Sequence, residues 1–249
     1  MKLDCVLTSC NLNPLYCDFI PMFIKAWKKL YPDVTVIIVL IAKKIPDNLI
    51  KYKENITCFE PIEHLSTAFT SQYIRLLYPC ILNYKNGILI TDMDIIPMNS
   101  SYYTKNIESI DNNKFIYYRD VLMEQYNEIA MCYNIALNKT WKDIFKINNI
   151  DDIVKRLIDV INDVNYIDGH GNKGWNTDQL HLYKRVLEWN KNTNNFVHLY
   201  DTKTGYMRLD RINFEFDKTK IKNGYYSDYH CCRPYDKYKS INDEIINAL

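Results

Sequence analysis

Short apolar runs alternate with helical stretches in the first half of the chain. Lys2–Ser9 predicts a buried strand, and Val34–Ile41 is a β-branched run long enough for a central strand. Between them, Asp18–Leu30 places its large apolar residues at helical spacing, and a Pro-Asp pair follows it. Ile56–Phe59 predicts a further short strand.

A second helix and strand then lead to a polar break in the pattern. Ser66–Tyr84 predicts a helix with a kink at Pro79. Gly87–Thr91 predicts a strand that runs straight into two acidic residues. This order of elements is typical of an α/β protein, in which helices cover both faces of a mostly parallel central sheet. We therefore predict a single α/β domain.

The second half of the chain is more mixed. Asn165–Gly174 contains three glycines and predicts a mobile loop, and no element is predicted in the polar, tyrosine-rich segment beyond Asp217. The predicted elements are strands at Lys114–Tyr118, Ile129–Leu137 and Phe196–Tyr200, a helix at Asp151–Val164, and a helix from Asn176 or Thr177 to about Trp189.

Charge and hydropathy exclude several classes of partner. The 249 residues contain 31 Lys and Arg against 30 Asp and Glu, which gives no electrostatic case for nucleic acid or for a basic membrane-binding patch. The longest apolar run, Val34–Ala42, is too short to span a bilayer, and Asp4 interrupts the apolar start of the chain. Eight cysteines without a CxxC pair fit reduced thiols. We expect a cytoplasmic chain without a membrane segment.

The acidic pair after the strand at Gly87–Thr91 carries the candidate chemistry. Asp92 and Asp94 are two residues apart, so in an extended chain both side chains point the same way. Ligands of open α/β sheets bind beyond the carboxyl ends of the strands. Oxygen ligands suit Mg²⁺ or Mn²⁺, and such an ion commonly bridges carboxylates to substrate phosphates. The pair also fits a simple turn after a strand, and it resembles the motif of haloacid-dehalogenase-type phosphatases. That motif opens its domain and has Thr or Val where this chain has Ile96.

Five stretches in order carry a resemblance to a known class of enzyme. They are VLTSCN at 6–11, STAFTSQYIRLLYP at 66–79, TDMDIIP at 91–97, GWNTDQ at 174–179 and SDYHCCRP at 227–234. Together they resemble the GT-A class of glycosyltransferases. The pattern is similar to that of the small GT-A enzymes of large DNA viruses of algae and amoebae, including the chlorella-virus rhamnosyltransferase domain.

The resemblance implies roles on the nucleotide side. Residues 1–97 would form a nucleotide-binding half and residues 98–249 an acceptor-side half of one GT-A-like domain. Thr8, Ser9 and Asn11 would sit against the nucleoside. Arg75 would lie near the donor sugar or the diphosphate. Each also has a simpler explanation, since Ser and Thr after a strand often bind turn amides and a helical Arg is about as often a surface or ion-pair residue.

The resemblance also implies a metal centre and a reacting centre. Asp92 would face both the metal and the ribose or sugar, Asp94 would bind the metal, and His230 would be a third ligand or a diphosphate contact. Arg233 would stabilise the leaving diphosphate. Asp178 would face the reacting centre, as a base or as a sugar-positioning group. A first-turn helix charge explains Asp178 about equally well.

The implied function is metal-dependent transfer of a sugar from a nucleotide diphosphate sugar to a glycan or glycoprotein acceptor. UDP is the favoured carrier and Mn²⁺ or Mg²⁺ the expected cofactor, in the host cytoplasm or the virion if the chain is viral. Two other functions remain open. A nucleotidyltransferase would usually bring a glycine-rich loop after the first strand, and residues 11–14 contain no glycine. A glycan-binding module on the same fold would need no catalysis.

Overall fold

Two β-sheets organise the molecule, which a computed structural model describes for residues 1–212 and 214–249. The strands are β1 (Leu3–Asn11), β2 (Thr35–Ile41), β3 (Ile56–Phe59), β4 (Gly87–Ile90), β5 (Ile95–Pro97), β6 (Phe115–Tyr117), β7 (Asn134–Leu137), β8 (Phe196–His198), β9 (Arg208–Asp210) and β10 (Asp228–His230).

Helices of very different length connect these strands. None of those in the described residues is both long and apolar enough to cross a membrane. They are α1 (Pro14–Cys17), α2 (Ile20–Leu30), α3 (Thr67–Leu77), α4 (Tyr102–Lys105), α5 (Met123–Tyr126), α6 (Asn138–Phe145), α7 (Ile150–Val164), α8 (Thr177–Thr193), α9 (Asp201–Thr204), α10 (Lys218–Lys222) and α11 (Lys239–Ala248).

The larger sheet has seven strands in the order β3-β2-β1-β4-β7-β6-β8. The four strands from β3 to β4 are parallel, β7 runs against its neighbours β4 and β6, and β8 is parallel to β6. Residues of β1 and β4 are almost entirely buried, as central strands of such a sheet require. The α/β class with a mostly parallel central sheet is thereby confirmed.

The smaller sheet has three strands in the order β5-β10-β9 and was not predicted. Strand β5 begins directly after the acidic pair and runs antiparallel to β10, while β9 runs parallel to β10. In this register His230 stands between Ile95 and Asp210. The backbone N–H of Cys231 donates to the carbonyl of Asp94 at 2.9 Å. The C-terminal part of the chain is therefore tied to the acidic pair by main-chain hydrogen bonds.

A 3₁₀ turn shortens two of the predicted elements. The helix predicted to extend to Tyr84 leaves the α-conformation after Leu77, and a 3₁₀ turn at Tyr78–Ile81 follows. Proline at position 79 has no N–H to donate and its ring clashes with the preceding turn, which accounts for the change. The strand predicted at Ile129–Leu137 is limited to β7, because a 3₁₀ turn occupies Met131–Tyr133.

The close packing of β4 gives a test of this fold. A Cβ added at Gly87 would lie 2.5 Å from Cδ1 of Ile135 on β7 and 2.9 Å from the sulfur of Met1. We predict that Gly87→Ala lowers the free energy of unfolding by roughly 1–3 kcal/mol, because the core is overpacked. Urea unfolding measures this loss.

A double-mutant cycle distinguishes this packing effect from a general intolerance of substitution. Ile135→Val removes the Cδ1 atom that the new methyl group meets, so the two changes together should destabilise the protein less than the sum of the single changes. Additive losses of stability would show that the added methyl group does not clash with Cδ1 of Ile135.

Candidate active site

Asp92 and Asp94 line a cleft of about 290 Å³ that lies beyond the carboxyl ends of β1 and β4. The chain order reverses here, since β1 is followed by β2 on one side and neighbours β4 on the other. Ligands of open α/β sheets bind at such switch points. Seven residues singled out from the sequence line the cleft: Ser9, Asn11, Arg75, Asp92, Asp94, His230 and Arg233.

The end of β1 forms one wall of the cleft. Ser9 Oγ donates to the carbonyl of Ser71, and Asn11 Nδ2 donates to Thr67 Oγ1 at 3.1 Å, so both side chains are fixed against α3. Thr8 does not line the cleft, which corrects its predicted place beside a nucleoside. It pairs with Ile38 inside the sheet and is fully buried, because it lies one residue deeper in the strand.

Helix α3 forms the adjoining wall. Ser66 caps its N-terminus by accepting a hydrogen bond from the N–H of Phe69. One face of the helix is apolar and buried, whereas the face toward the cleft carries smaller and polar side chains. Those cleft residues are Ala68, Ser71, Gln72 and Arg75, at the i, i+3, i+4 and i+7 positions of a helix.

Arg75 lies between two carboxylates at the base of the cleft. Its Nη1 forms an ion pair with Asp92 Oδ1, and its Nη2 is 3.2 Å from Asp178 Oδ2. Arg75 is largely buried, and burial opposes its charge, but the two carboxylates outweigh this and raise the pKa of its guanidinium. The side chain of Asp92 is thus held in place by an arginine on a separate element.

Asp178 lies behind Arg75 and does not line the cleft. It is 2% exposed in the first turn of α8, where its Oδ1 accepts the N–H of Gln179 at 2.9 Å. Burial, with Asp92 adding to it against the attraction of Arg75, raises the pKa of Asp178 to about 7. The Arg75 guanidinium lies between Asp178 and the cleft, and the role of Asp178 at the reacting centre stays a prediction.

Asp94 is surrounded by positive charge. Its Oδ2 lies 2.7 Å from Nη1 of Arg211, 3.4 Å from Nη1 of Arg233 and 3.7 Å from Nε2 of His230. Burial opposes ionisation of Asp94, but these three groups outweigh it and hold its pKa well below the usual range. Arg211 was not singled out from the sequence, because it lies in a polar segment without a motif.

The imidazole of His230 lies between two carboxylates. Its Nδ1 is 3.5 Å from Asp210 Oδ2, while Nε2 faces Asp94. A histidine that faces an acidic residue with one ring nitrogen and the ligand with the other is the arrangement usual for metal-binding histidines. Arg233 has an anchor besides Asp94, because its Nη1 donates to the hydroxyl of Tyr16 at 2.6 Å.

The candidate metal ligands are Asp92, Asp94 and His230. Carboxylate and imidazole groups are ligands of Mn²⁺ and related ions. Among described residues, neither Asp92 Oδ2 nor Asp94 Oδ1 accepts a hydrogen bond, so each carboxylate keeps one oxygen for an ion. No three His, Cys, Asp or Glu side chains of the described chain form a preassembled metal cluster. The donor chemistry fits, but the guanidinium of Arg211 holds Asp94 instead.

The glycine-containing loop contributes aromatic rings to the cleft. Tyr166, His170 and Trp175 line it, and the rings of His170 and Trp175 are 4.9 Å apart. The loop is tied to α3, since Ser66 Oγ donates to Asp168 Oδ1 at 2.5 Å and Gln72 Nε2 donates to the carbonyl of Trp175. These aromatic residues were not singled out individually from the sequence.

Comparison of the structure with solved structures identifies the architecture. The galactosyltransferase LgtC in complex with donor and acceptor sugar analogues is 13% identical, with coverage of 98% of this chain and 96% of that chain and a TM-score of 0.52. An active-site mutant of LgtC gives 12% identity, coverage of 98% and 94%, and a TM-score of 0.52. The chain has the GT-A fold.

A further solved structure is less similar, and the sequence comparisons found no match. The apo-form glycosyltransferase GlyE of Streptococcus pneumoniae TIGR4 is 12% identical over 99% of this chain and 62% of that chain, with a TM-score of 0.49. No protein-family model and no curated protein matches the sequence. At these identities the likeness to solved structures concerns the GT-A fold alone.

The buried carboxyl of Asp178 predicts a distinctive pH dependence. An unfolded aspartate has a pKa near 4, whereas that of folded Asp178 is about 7. Between these values the folded state holds a proton that the unfolded state has released, so stability falls as pH rises through the window. Asp178→Asn has no such proton. The free energy of unfolding of the native protein should therefore decline relative to the variant, by up to about 1.4 kcal/mol per pH unit.

Urea unfolding of both proteins at several pH values across this window measures the decline. If the difference in the free energy of unfolding between the two proteins did not change with pH, Asp178 would stay ionised and fully paired with Arg75.

Proposed function

We propose that the chain transfers a sugar from a nucleotide diphosphate sugar, with UDP the favoured carrier, to a glycan or glycoprotein acceptor with the help of a divalent metal. The observation that supports this most strongly is the charge of the cleft. Arg75, Arg211 and Arg233 line it together with Asp92 and Asp94, so guanidinium groups outnumber carboxylates. A bound divalent ion would add to this excess, which matches the several negative charges of a diphosphate.

The nucleoside is assigned to the wall formed by the end of β1. Ser9 and Asn11 are held against α3 by hydrogen bonds, so their remaining polar groups have fixed positions. Asn13 also lines the cleft. Polar groups fixed at a switch point are well suited to orient a base and ribose without large rearrangement.

The diphosphate is assigned to the region between the acidic pair and the C-terminal segment. As the bond from the anomeric carbon to the diphosphate oxygen breaks, negative charge grows on the leaving group. Arg233 stabilises that charge from a position fixed by the Tyr16 hydroxyl. Asp92, Asp94 and His230 would hold the metal, Mn²⁺ or Mg²⁺, which when bound neutralises the diphosphate as a Lewis acid.

Arg75 is assigned to the donor sugar or its adjoining phosphate. The ion pairs with Asp92 and Asp178 hold its guanidinium at the base of the cleft. Asp178 is then a positioning residue, since it fixes Arg75 and makes no direct contact with the cleft. Preorganised charge of this kind lowers the barrier because little reorganisation is needed during the reaction.

The acceptor is assigned to the aromatic side of the cleft. Sugar rings expose C–H groups on one face, and aromatic side chains with a polar edge suit them. Tyr166, His170 and Trp175 offer such surfaces on the loop that faces the acidic pair. The cleft therefore draws on both of the proposed halves, 1–97 and 98–249.

Substitution of the acidic pair tests the proposal. We predict that Asp94→Asn lowers the Mn²⁺-dependent release of UDP from UDP-sugars by about a hundredfold or more, because the metal loses a charged ligand. A panel of nucleotide sugars supplies donors, and circular dichroism checks the fold. The matched control is Asp33→Asn, which changes an exposed carboxylate in the turn before β2. Full turnover by Asp94→Asn in Mn²⁺ would refute the assignment.

Ligand-induced stabilisation provides a second test. A ligand that binds only the folded state raises the melting temperature. UDP or GDP with Mn²⁺ should raise it more than either component alone, because metal and diphosphate are expected to bind together. A nucleotidyltransferase is expected to respond better to nucleoside triphosphates, and a glycan-binding module to ignore nucleotides altogether.

A further inference from the structure

Arg211 has an unusual place in the cleft. It follows β9 directly, and its Nη1 lies 2.7 Å from Asp94 Oδ2, closer than Arg233 or His230 comes to this carboxylate. The same nitrogen is 3.4 Å from the carbonyl of Cys231. The guanidinium lines the cleft and remains 20% exposed, so solvent or a ligand can reach it.

The two cationic arginines at Asp94 are anchored differently. Arg233 donates to the hydroxyl of Tyr16 at 2.6 Å and lies over the ring of Tyr16, so it has a side-chain anchor besides Asp94. For Arg211, the partners among the described residues are the Asp94 carboxylate and the Cys231 carbonyl. The residue after it, Ile212, is 80% exposed. Arg211 is therefore the group more readily displaced.

Two neighbouring residues at the end of β9 bring opposite charges close to two candidate metal ligands. The Asp210 carboxylate lies 3.5 Å from Nδ1 of His230, whereas Arg211 binds Asp94. An ion that bound Asp94 and His230 would gain from the first contact and compete with the second. A divalent ion and a guanidinium within a few ångströms of one carboxylate repel each other strongly in a partly buried site.

We propose that Arg211 is a built-in counter-ion that competes with the divalent metal for Asp94 and is drawn away by the diphosphate of the nucleotide. This inference rests on the proposed function, since it uses the same metal and donor. Arginine pairs well with phosphate oxygens, so the diphosphate offers Arg211 an alternative partner. Metal and nucleotide then reinforce each other's binding, because each removes an obstacle to the other.

Direct measurement of Mn²⁺ binding tests the proposal without relying on turnover. Isothermal titration and the electron paramagnetic resonance signal of free Mn²⁺ give the affinity of the full chain, with and without UDP. Without UDP, Arg211→Gln should bind Mn²⁺ about tenfold more tightly or better than the native protein, because one repelling charge is gone. UDP should increase the Mn²⁺ affinity of the native protein more than that of the variant.

Two further variants serve as controls. Arg211→Lys keeps the positive charge and should bind Mn²⁺ more like the native protein than Arg211→Gln does. Lys139→Gln removes an exposed positive charge on α6 and should leave Mn²⁺ binding unchanged. A gain of affinity in Lys139→Gln equal to that in Arg211→Gln would show a general charge effect and overturn the proposal.

The outcomes also separate this inference from the function on which it rests. If Arg211→Gln and the native protein bind Mn²⁺ equally without UDP, while UDP still raises the affinity of both equally, Arg211 is no competitor but the metal-dependent function stands. If neither protein binds Mn²⁺ with or without UDP, both the inference and the metal-dependent function fail.

Discussion

A carboxylate buried beside two arginines and a histidine is the constraint on which the rest of the site depends. Asp94 is 5% exposed, and a charge in such a place needs close partners of opposite sign. Arg211 and Arg233 supply them, His230 lies close by, and all three residues come from the C-terminal part of the chain. The acidic pair and the C-terminal segment must therefore come together for either to be stable.

The smaller sheet makes this meeting possible. Strand β10 pairs with β5, which continues from the acidic pair, and with β9, which ends at Asp210. At its other end β10 is held by Asp228, a fully buried carboxylate that accepts a hydrogen bond from Arg208 Nε at 2.9 Å and another from the Tyr133 hydroxyl. Since Tyr133 directly precedes β7, this network joins the smaller sheet to the larger one. The position of His230 thus depends on contacts outside the cleft.

Local patterns account for the parts of the fold that could be predicted. Strands β1 to β4 are rich in apolar residues, and α3 has helical spacing of its apolar residues, so each is recognisable without knowledge of its neighbours. Asp92 and Asp94 could be assigned to the edge of the sheet because they follow such a run. The resemblance to GT-A enzymes added Arg75, His230 and Arg233, which the structure places in one cleft with the acidic pair.

Pairing between distant residues accounts for most of what could not be predicted. Strands β5, β9 and β10 have three residues each, too few for a periodic signal, and exist because they pair with one another. The contact of Arg211 with Asp94 joins residues far apart in sequence, and no local motif marks it. The burial of Thr8 and Asp178 was missed for the same reason, since a position at the end of an element does not reveal which neighbour covers it.

The most direct test of the account is the position of the metal in a crystal of the protein grown with Mn²⁺ and UDP. Anomalous scattering locates manganese without ambiguity. The account predicts one ion on the carboxylates of Asp92 and Asp94, beside the pyrophosphate, with the Arg211 guanidinium moved from Asp94 to a phosphate oxygen. An ion bound elsewhere, or Arg211 still paired with Asp94 beside bound UDP, would contradict it.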